Sequence, residues 1–366
     1  MLVGQPGSGM LLFLSSVLLL PVTQESVVPP QNAANGDEPI AVELQSEQQA
    51  TAATASDNTP EPAEAVAPTN PEERAYNCVR LPAFARQGTV QIDGQISESI
   101  WSLAPWSEDF VDIEGAVKPR PTYRTRMKML WDSQMLYIAA ELQDPDVRAT
   151  LSTRDSVIFR DNDFEVFLDP EGDQLNYGEL EINALNTIWD LRLPRPYSAG
   201  GQPDDGWTLQ GLRSAVWVDG KLNDSSVPDR GWTLEMAIPW AGLRSLQDSK
   251  QPIRRAVRDG AKVRGYEIVA DDAATATAIP ATDSPVKAMP PTEGDVWRMN
   301  FSRVQWPSAT VAVGNEQSGQ RREENWVWSP QGTIDMHKPE RWGRVVFSGP
   351  PEMENSGRGP NRIIRR

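Results

Sequence analysis

The stretch "RDNDFEVFLDP", Arg160–Pro170, sets Asp161, Asp163 and Glu165 within five positions, adds Asp169, and threads Phe164, Val166, Phe167 and Leu168 between the acids. The period of two predicts a strand over Asp163–Asp169, with Phe164, Val166 and Leu168 on one face and Asp163, Glu165, Phe167 and Asp169 on the other. The next segment, "GELEINA", repeats the pattern: Leu180 and Ile182 share a face, and Glu179, Glu181 and Asn183 lie opposite. After the short turn "ALNT", the segment "TIWDLRL" alternates Ile188, Asp190 and Arg192 with Thr187, Trp189, Leu191 and Leu193. An antiparallel meander of the three would set acids beside acids. Facing like charges cost roughly 0.2–1 kcal/mol per pair, so something must offset them.

Four uses of such a face are open from the residues alone. "TYRTRMKML" carries Arg124, Arg126 and Lys128 on one side, and a strand of that kind beside the acids would make a solvated ladder of ion pairs. A polar face bordered by aromatics would bind a hydroxyl-rich ligand, the acids and Asn183 accepting hydrogen bonds. Two of Glu165, Glu179 and Glu181 would suffice for glycoside hydrolysis. Calcium held through Asp161, Asp163, Asp169 or Asp173 is compatible with each, although "DNDFEVFLDPEGDQ" lacks the spacing of an EF-hand loop.

Outward from this stretch, "TVQIDG", "QMLYIAAELQD", "WTLEMAIPW", "DVWRMNFSRVQW" and "RWGRVVF" also read as strands, separated by turn sequences such as "DG", "DPEGD" and "PDRG". Only "SESIWSLA" and "WAGLRSLQ" read as helix, and both are short. Many short strands with little helix predict an all-β fold, an antiparallel β-sandwich, over residues 76–348. Residues 250–291 read as a long insertion loop between strands.

The flanks differ in character. Met10–Val22, "MLLFLSSVLLLPV", has the length of a signal-peptide core and is too short to span a bilayer, so residues 1–22 are expected to be an export signal or, left uncleaved, a membrane anchor. Residues 23–75 are rich in Ala, Pro, Gln, Glu and Thr, with Arg74 the only basic residue. They are expected to form a disordered acidic linker with a reach of roughly 40 Å. Residues 349–366 are expected to be a basic flexible tail. Together the flanks predict an extracytoplasmic protein: periplasmic, cell-surface or secreted.

The net charge of -16 argues against a nucleic-acid partner, which needs a basic footprint. One cysteine, Cys78, and one histidine, His337, exclude an intramolecular disulfide framework and a multi-histidine metal site. The 13 tryptophans are many for this length and serve either as core or as stacking surfaces for sugar rings. Trp101, Trp131, Trp232 and Trp240 sit in apolar patterns, whereas Trp207, Trp326 and Trp328 sit in loop-like sequence.

Six blocks occur in order: "VQIDGQISESIWSLAPW", "MLWDSQMLYIAAELQDPDV", "DNDFEVFLDPEGDQLNYGELEINALNTIWDL", "RGWTLEMAIPW", "GDVWRMNFSRVQW" and "WSPQGTIDMHKPERWGRVVF". Together they resemble the family 9 carbohydrate-binding modules, in a divergent branch. The resemblance implies a jelly-roll, DOMON-like β-sandwich without catalysis of its own, serving polysaccharide recognition or degradation. It further implies calcium binding and a sugar end gripped between two aromatic rings. Of the family's two sandwich tryptophans, one falls on Phe159 and the other near Met336. The family acid falls on Glu165, with an upstream acid near Asn162 or Asp163, and the arginine of the following strand falls on Glu181, which reverses the charge. With the alternation and the resemblance together, the candidate ligand-binding residues are Phe159, Asp163, Glu165, Glu181 and Asn183, with His337, Trp342 or Trp328 as the second wall; the candidate metal ligands, from the acid cluster, are Asp161 and Asp169. Distant relatives of the fold hold haem, which draws attention to Met336 and His337, but adjacent strand residues face opposite ways.

Overall fold

A computed structural model describes residues 73–85, 89–247, 250–270, 287–307 and 323–351, and main chain alone at 353–354 and 362–363. These belong to one compact unit, Ala65–Arg366; the other, Met1–Glu64, lies outside the described residues, as do the expected signal segment and almost all of the expected linker. Among the described residues no helix is long and apolar enough to cross a membrane.

Strands β1 (Ala75–Arg80), β2 (Val111–Asp112), β3 (Thr125–Trp131), β4 (Met135–Gln143), β5 (Asp163–Asp169), β6 (Tyr177–Asn183), β7 (Ile188–Leu193), β8 (Arg213–Asp219) and β9 (Gly231–Pro239) are followed by one helical turn, α1 (Trp240–Leu243). Then come β10 (Ile253–Asp259), β11 (Lys262–Val269), β12 (Val296–Gln305), β13 (Glu324–Val327), β14 (Gly343–Ser348) and the two-residue strands β15 (Met353–Glu354) and β16 (Arg362–Ile363).

One sheet runs β7-β6-β5-β12-β14-β1-β3-β4-β9-β8, with β13 and β2 attached beside β12. It folds over on itself at β1, which pairs along β14 but meets β3 only at Val79–Leu130 and Arg80–Trp131. Both β1 pairings are parallel, the exception to an otherwise antiparallel sheet. The two layers, β7-β6-β5-β12-β14 and β3-β4-β9-β8, enclose a core that includes Phe164, Val166, Leu168, Leu180, Ile182, Phe301, Met129, Ile138 and Met236. Each fully buried side chain of this size contributes about 1.5–3 kcal/mol. The alternation seen in "DFEVFLD" therefore gives the inward face of β5 as expected, and the all-β sandwich is the fold.

The outer face of the second layer is covered by the segment before β3. Glu235 of β9, buried there, accepts hydrogen bonds from the Asp93 and Gly94 main chain at 3.1 and 3.0 Å and from Trp101 Nε1 at 2.7 Å. Gly94 has φ +87°, and a Cβ there would meet the Val216–Trp217 main chain at 2.6 Å.

Several expectations are corrected. Residues 250–291 are not simply a loop: Ile253–Asp259 and Lys262–Val269 pair as a hairpin over the "DG" turn at Asp259–Gly260. That hairpin docks through Arg254, whose Nε and Nη2 each lie 3.1 Å from Asp204. The tail pairs Met353–Glu354 with Arg362–Ile363. The ladder of Arg124, Arg126 and Lys128 does not meet the acidic strands, because β3 lies in the other layer. Arg124 and Arg126 both bind Glu141 of β4, at 2.6 and 2.9 Å, and Lys128 donates to Trp101 O at 3.0 Å.

Candidate functional site

The acidic face of the meander is buried, not solvated: every residue of β5 and β6 is buried. Register explains the crowding. Glu165 stands opposite Glu181, Phe167 opposite Glu179, and Asp163 opposite Asn183, while Trp189 of β7 stands opposite Glu181 and Ser302 of β12 opposite Glu165. The 3-10 turn Ile158–Arg160 ahead of β5 and the chain around Ile334–His337 border this face, leaving a pocket of about 450 Å³ lined by Glu165, Glu179 and Glu181 together with Phe159, Trp189, Tyr197 and His337.

Aromatic surfaces border the acids in two pairs. Phe159 and Trp189 lie with ring centroids 6.2 Å apart, and Tyr197 meets His337 edge-on at 4.4 Å. Phe159 and Tyr197 are 41% and 44% exposed, enough for a ring to stack on each. Glu181 fixes Phe159 in place by accepting its main-chain N–H at 2.8 Å, and Trp306 Nε1 donates to the Phe159 carbonyl at 2.8 Å.

Burial dominates the electrostatics. It holds the Asp163, Glu179 and Glu181 carboxyls well above the usual range, with neighbouring acids pushing the same way, and pushes Glu165 up to about 7. Burial also pulls His337 down to about 4, so its imidazole is neutral at pH 7. Its Nδ1 lies 3.0 Å from the Tyr177 hydroxyl and its Nε2 3.9 Å from Glu179. The floor can thus both donate and accept hydrogen bonds, as protonated carboxyls do.

Of the residues singled out in the sequence, Phe159, Glu165, Glu181 and His337 line the pocket, and Asp163 lies beside Glu165 and Glu181 just beneath it. Trp342 is fully buried behind it, packed on Phe167 at 5.4 Å and on Tyr177 at 5.1 Å. Trp328 is not a wall: it points into the core between the layers with Trp207 and Trp326. Asn183 is buried and spent on Leu151 O at 2.7 Å and Asp161 at 3.0 Å. Asp161 and Asp169 do not form a joint calcium site. They sit at opposite ends of β5; Asp161 accepts from the Thr150 and Leu151 main chain, and Asp169 from Gly172 and Gln174. Met336 and His337 lie outside any strand, and both line the pocket, which removes the premise that they face opposite ways.

Trp189 and Tyr197 were missed. The alternation sets Trp189 and Asp190 on opposite faces without saying which joins the acids, and the register puts Trp189 there, whereas nothing in "RPYSAG" marks Tyr197 as a rim residue.

Comparison with known proteins adds the family. The model of the carbohydrate family 9 binding domain-like family matches residues 92–278, just over half of the chain. Exoglucanase XynX of Acetivibrio thermocellus is 26% identical over 164 residues, 45% of this chain and 13% of that protein. Endo-1,4-beta-xylanase A of Thermotoga maritima is 26% identical over 167 residues, 44% of this chain and 13% of that protein. The chain therefore matches only a small part of these curated relatives. Among solved structures, a family 9 carbohydrate-binding module from Caldicellulosiruptor kristjanssonii in complex with cellotriose covers 79% of this chain and all of its own, at 15% identity and a TM-score of 0.41. The same source's module with glucose covers 77% of this chain and all of its own, at 14% identity and a TM-score of 0.41. On the match of its family model to residues 92–278, this chain belongs to the carbohydrate family 9 binding domain-like family.

Proposed function

We propose that this chain is a non-catalytic carbohydrate-binding protein that takes a short glycan, or the end of a longer one, into the pocket above Glu165, Glu179 and Glu181. The observation that carries the reading is the pairing of exposed aromatic faces, Phe159 and Tyr197, with a buried floor of hydrogen-bonding carboxyls in one pocket. Sugar rings present apolar faces for stacking and hydroxyls for such a floor. Family membership supports the same ligand class. An extracytoplasmic setting and a part in polysaccharide breakdown fit the expected export signal and the xylan- and glucan-degrading names of the relatives.

Holding is favoured over cleaving. Glycoside hydrolysis needs two carboxyls placed on either side of the scissile bond, one to protonate the leaving oxygen and one facing the sugar carbon. Here Glu165, Glu179 and Glu181 project side by side from one face of two adjacent strands. Retardation of the purified protein in gels cast with xylan, β-glucan or cellulose derivatives tests the reading. Retardation lost in Phe159→Ala and Tyr197→Ala supports it; free migration through every polysaccharide, or release of reducing sugar that vanishes in Glu165→Gln, overturns it.

A further inference from the structure

We propose that Asp163, Glu165 and Glu181 hold one divalent cation of the oxygen-preferring class, at the base of the pocket. Each offers a carboxylate oxygen, and the three oxygens lie within 4.8 Å of one another. Calcium–oxygen bonds of about 2.3–2.6 Å place ligands on opposite sides of an ion up to about 5 Å apart, so the three oxygens fit around a single ion without moving the strands. An all-oxygen set selects calcium, magnesium or manganese over the softer metals.

A second observation points to a missing partner. Asp163 is fully buried; its Oδ1 accepts the Val304 N–H at 3.1 Å, and its Oδ2 is buried with no hydrogen-bond partner among the described residues. A buried carboxylate oxygen left so is costly unless something meets it.

Several other buried acids in the fold have charged or N–H partners. Asp144 pairs with Arg303 at 3.3 Å, Asp204 with Arg192 at 3.4 Å, and Glu235 takes three N–H donors. Among the described residues no arginine or lysine forms an ion pair with Asp163, Glu165 or Glu181. Together they receive two main-chain N–H groups, from Val304 and Phe159.

Access is also present. Glu165 and Glu181 line the pocket, so an ion behind them keeps open positions toward it that water or a vicinal diol can fill. Asp163 and Glu181 also receive support from the main chain, which fixes their orientation before an ion arrives. The inference does not depend on the carbohydrate reading, since the metal alone is the probe.

The test is calorimetric titration of the full chain, stripped with chelator and desalted, with CaCl2, MgCl2 and MnCl2 in turn. Wild type is expected to bind at least one of these ions at one site. Asp163→Asn and Glu181→Gln should each weaken the affinity at least about tenfold while circular dichroism shows the fold intact, as removal of one of three charged ligands predicts. Because either variant can fail to fold, terbium luminescence on wild type gives a second reading: Trp189, opposite Glu181 in register, should sensitise emission that calcium quenches by competition and that Trp189→Phe diminishes. No uptake of any of the ions at millimolar concentration, undiminished uptake in the folded variants, or terbium emission indifferent to Trp189 would overturn the proposal.

Discussion

Glu165 of β5 and Glu181 of β6 stand directly opposite one another across an antiparallel pair, 5% and 2% exposed, with no cationic side chain in an ion pair with either among the described residues. On a solvated sheet such a pair would repel and be screened. Here burial makes ionisation of both the costly state, so the face holds protons or a counter-ion in place of two free charges.

The consequence for stability has a definite sign. Burial raises Glu165 from the ordinary 4.5 to about 7, so the folded state binds a proton that the unfolded state has released. Its stabilising contribution is complete below about pH 4.5 and is lost as pH rises through about 7, an effect on the order of 3 kcal/mol. Asp169 and Glu235, each raised by burial to about 7, act in the same direction. In chelator, urea denaturation should therefore show stability falling between about pH 5 and pH 8, and the fall should be shallower in Glu165→Gln. A stability that rises across this range would refute the protonation account.

Arg303 ties the two layers together. Fully buried, it donates to Thr125 Oγ1 at 3.0 Å and Gln143 O at 2.8 Å and pairs with Asp144 at 3.3 Å. Arg303→Met should cost about 3–5 kcal/mol, because Asp144 is left as a buried charge without its partner. Chemical denaturation measures this; a loss below about 1 kcal/mol would show that the pair is dispensable.

Close packing behind the pocket makes Gly343 sensitive. A Cβ there would lie 2.4 Å from Trp328 Cζ3 and 2.9 Å from the Arg74 carbonyl, and the preceding residue is Trp342, which backs His337 through Phe167 and Tyr177. Gly343→Ala should destabilise by about 1–3 kcal/mol through overpacking. A thermal melt unchanged from wild type would mean that the tryptophan yields freely.

Tyr177 orients the only histidine through the 3.0 Å contact to Nδ1. Removing the hydroxyl in Tyr177→Phe should cost about 0.5–1.5 kcal/mol of stability. It should also weaken glycan binding severalfold, since the neutral imidazole then loses its fixed tautomer. Stability and affinity both equal to wild type would take His337 out of the site.

The strands and the inward faces were legible because alternation is local: Phe164, Val166 and Leu168 need no knowledge of their partners to be read as core. Adjacency in sequence also made the β5-β6-β7 meander legible, and with it the grouping of Glu165 and Glu181. What the chain could not show locally is which layer a strand joins. Arg124 and Arg126 match the acids in charge, yet β3 pairs with β4 and spends them on Glu141. Trp328 follows a strand paired to β12, and that non-local pairing turns it inward. The hairpin at Ile253–Val269 was readable from its "DG" turn but was hidden within a longer polar segment. Resemblance to the family located Phe159 and Glu165, whereas Tyr197 reaches the rim by a turn that no period encodes.

Sugar binding is proposed for the pocket framed by Phe159, Trp189, Tyr197 and His337. Calorimetric titration of the full chain with gluco- and xylo-oligosaccharides tests it most directly. Saturable binding of at least one series at one site is expected, reduced at least about tenfold in Phe159→Ala and in Tyr197→Ala, the loss expected when a stacked ring is removed. Absence of binding in both series, or affinity unchanged in both folded variants, would contradict it.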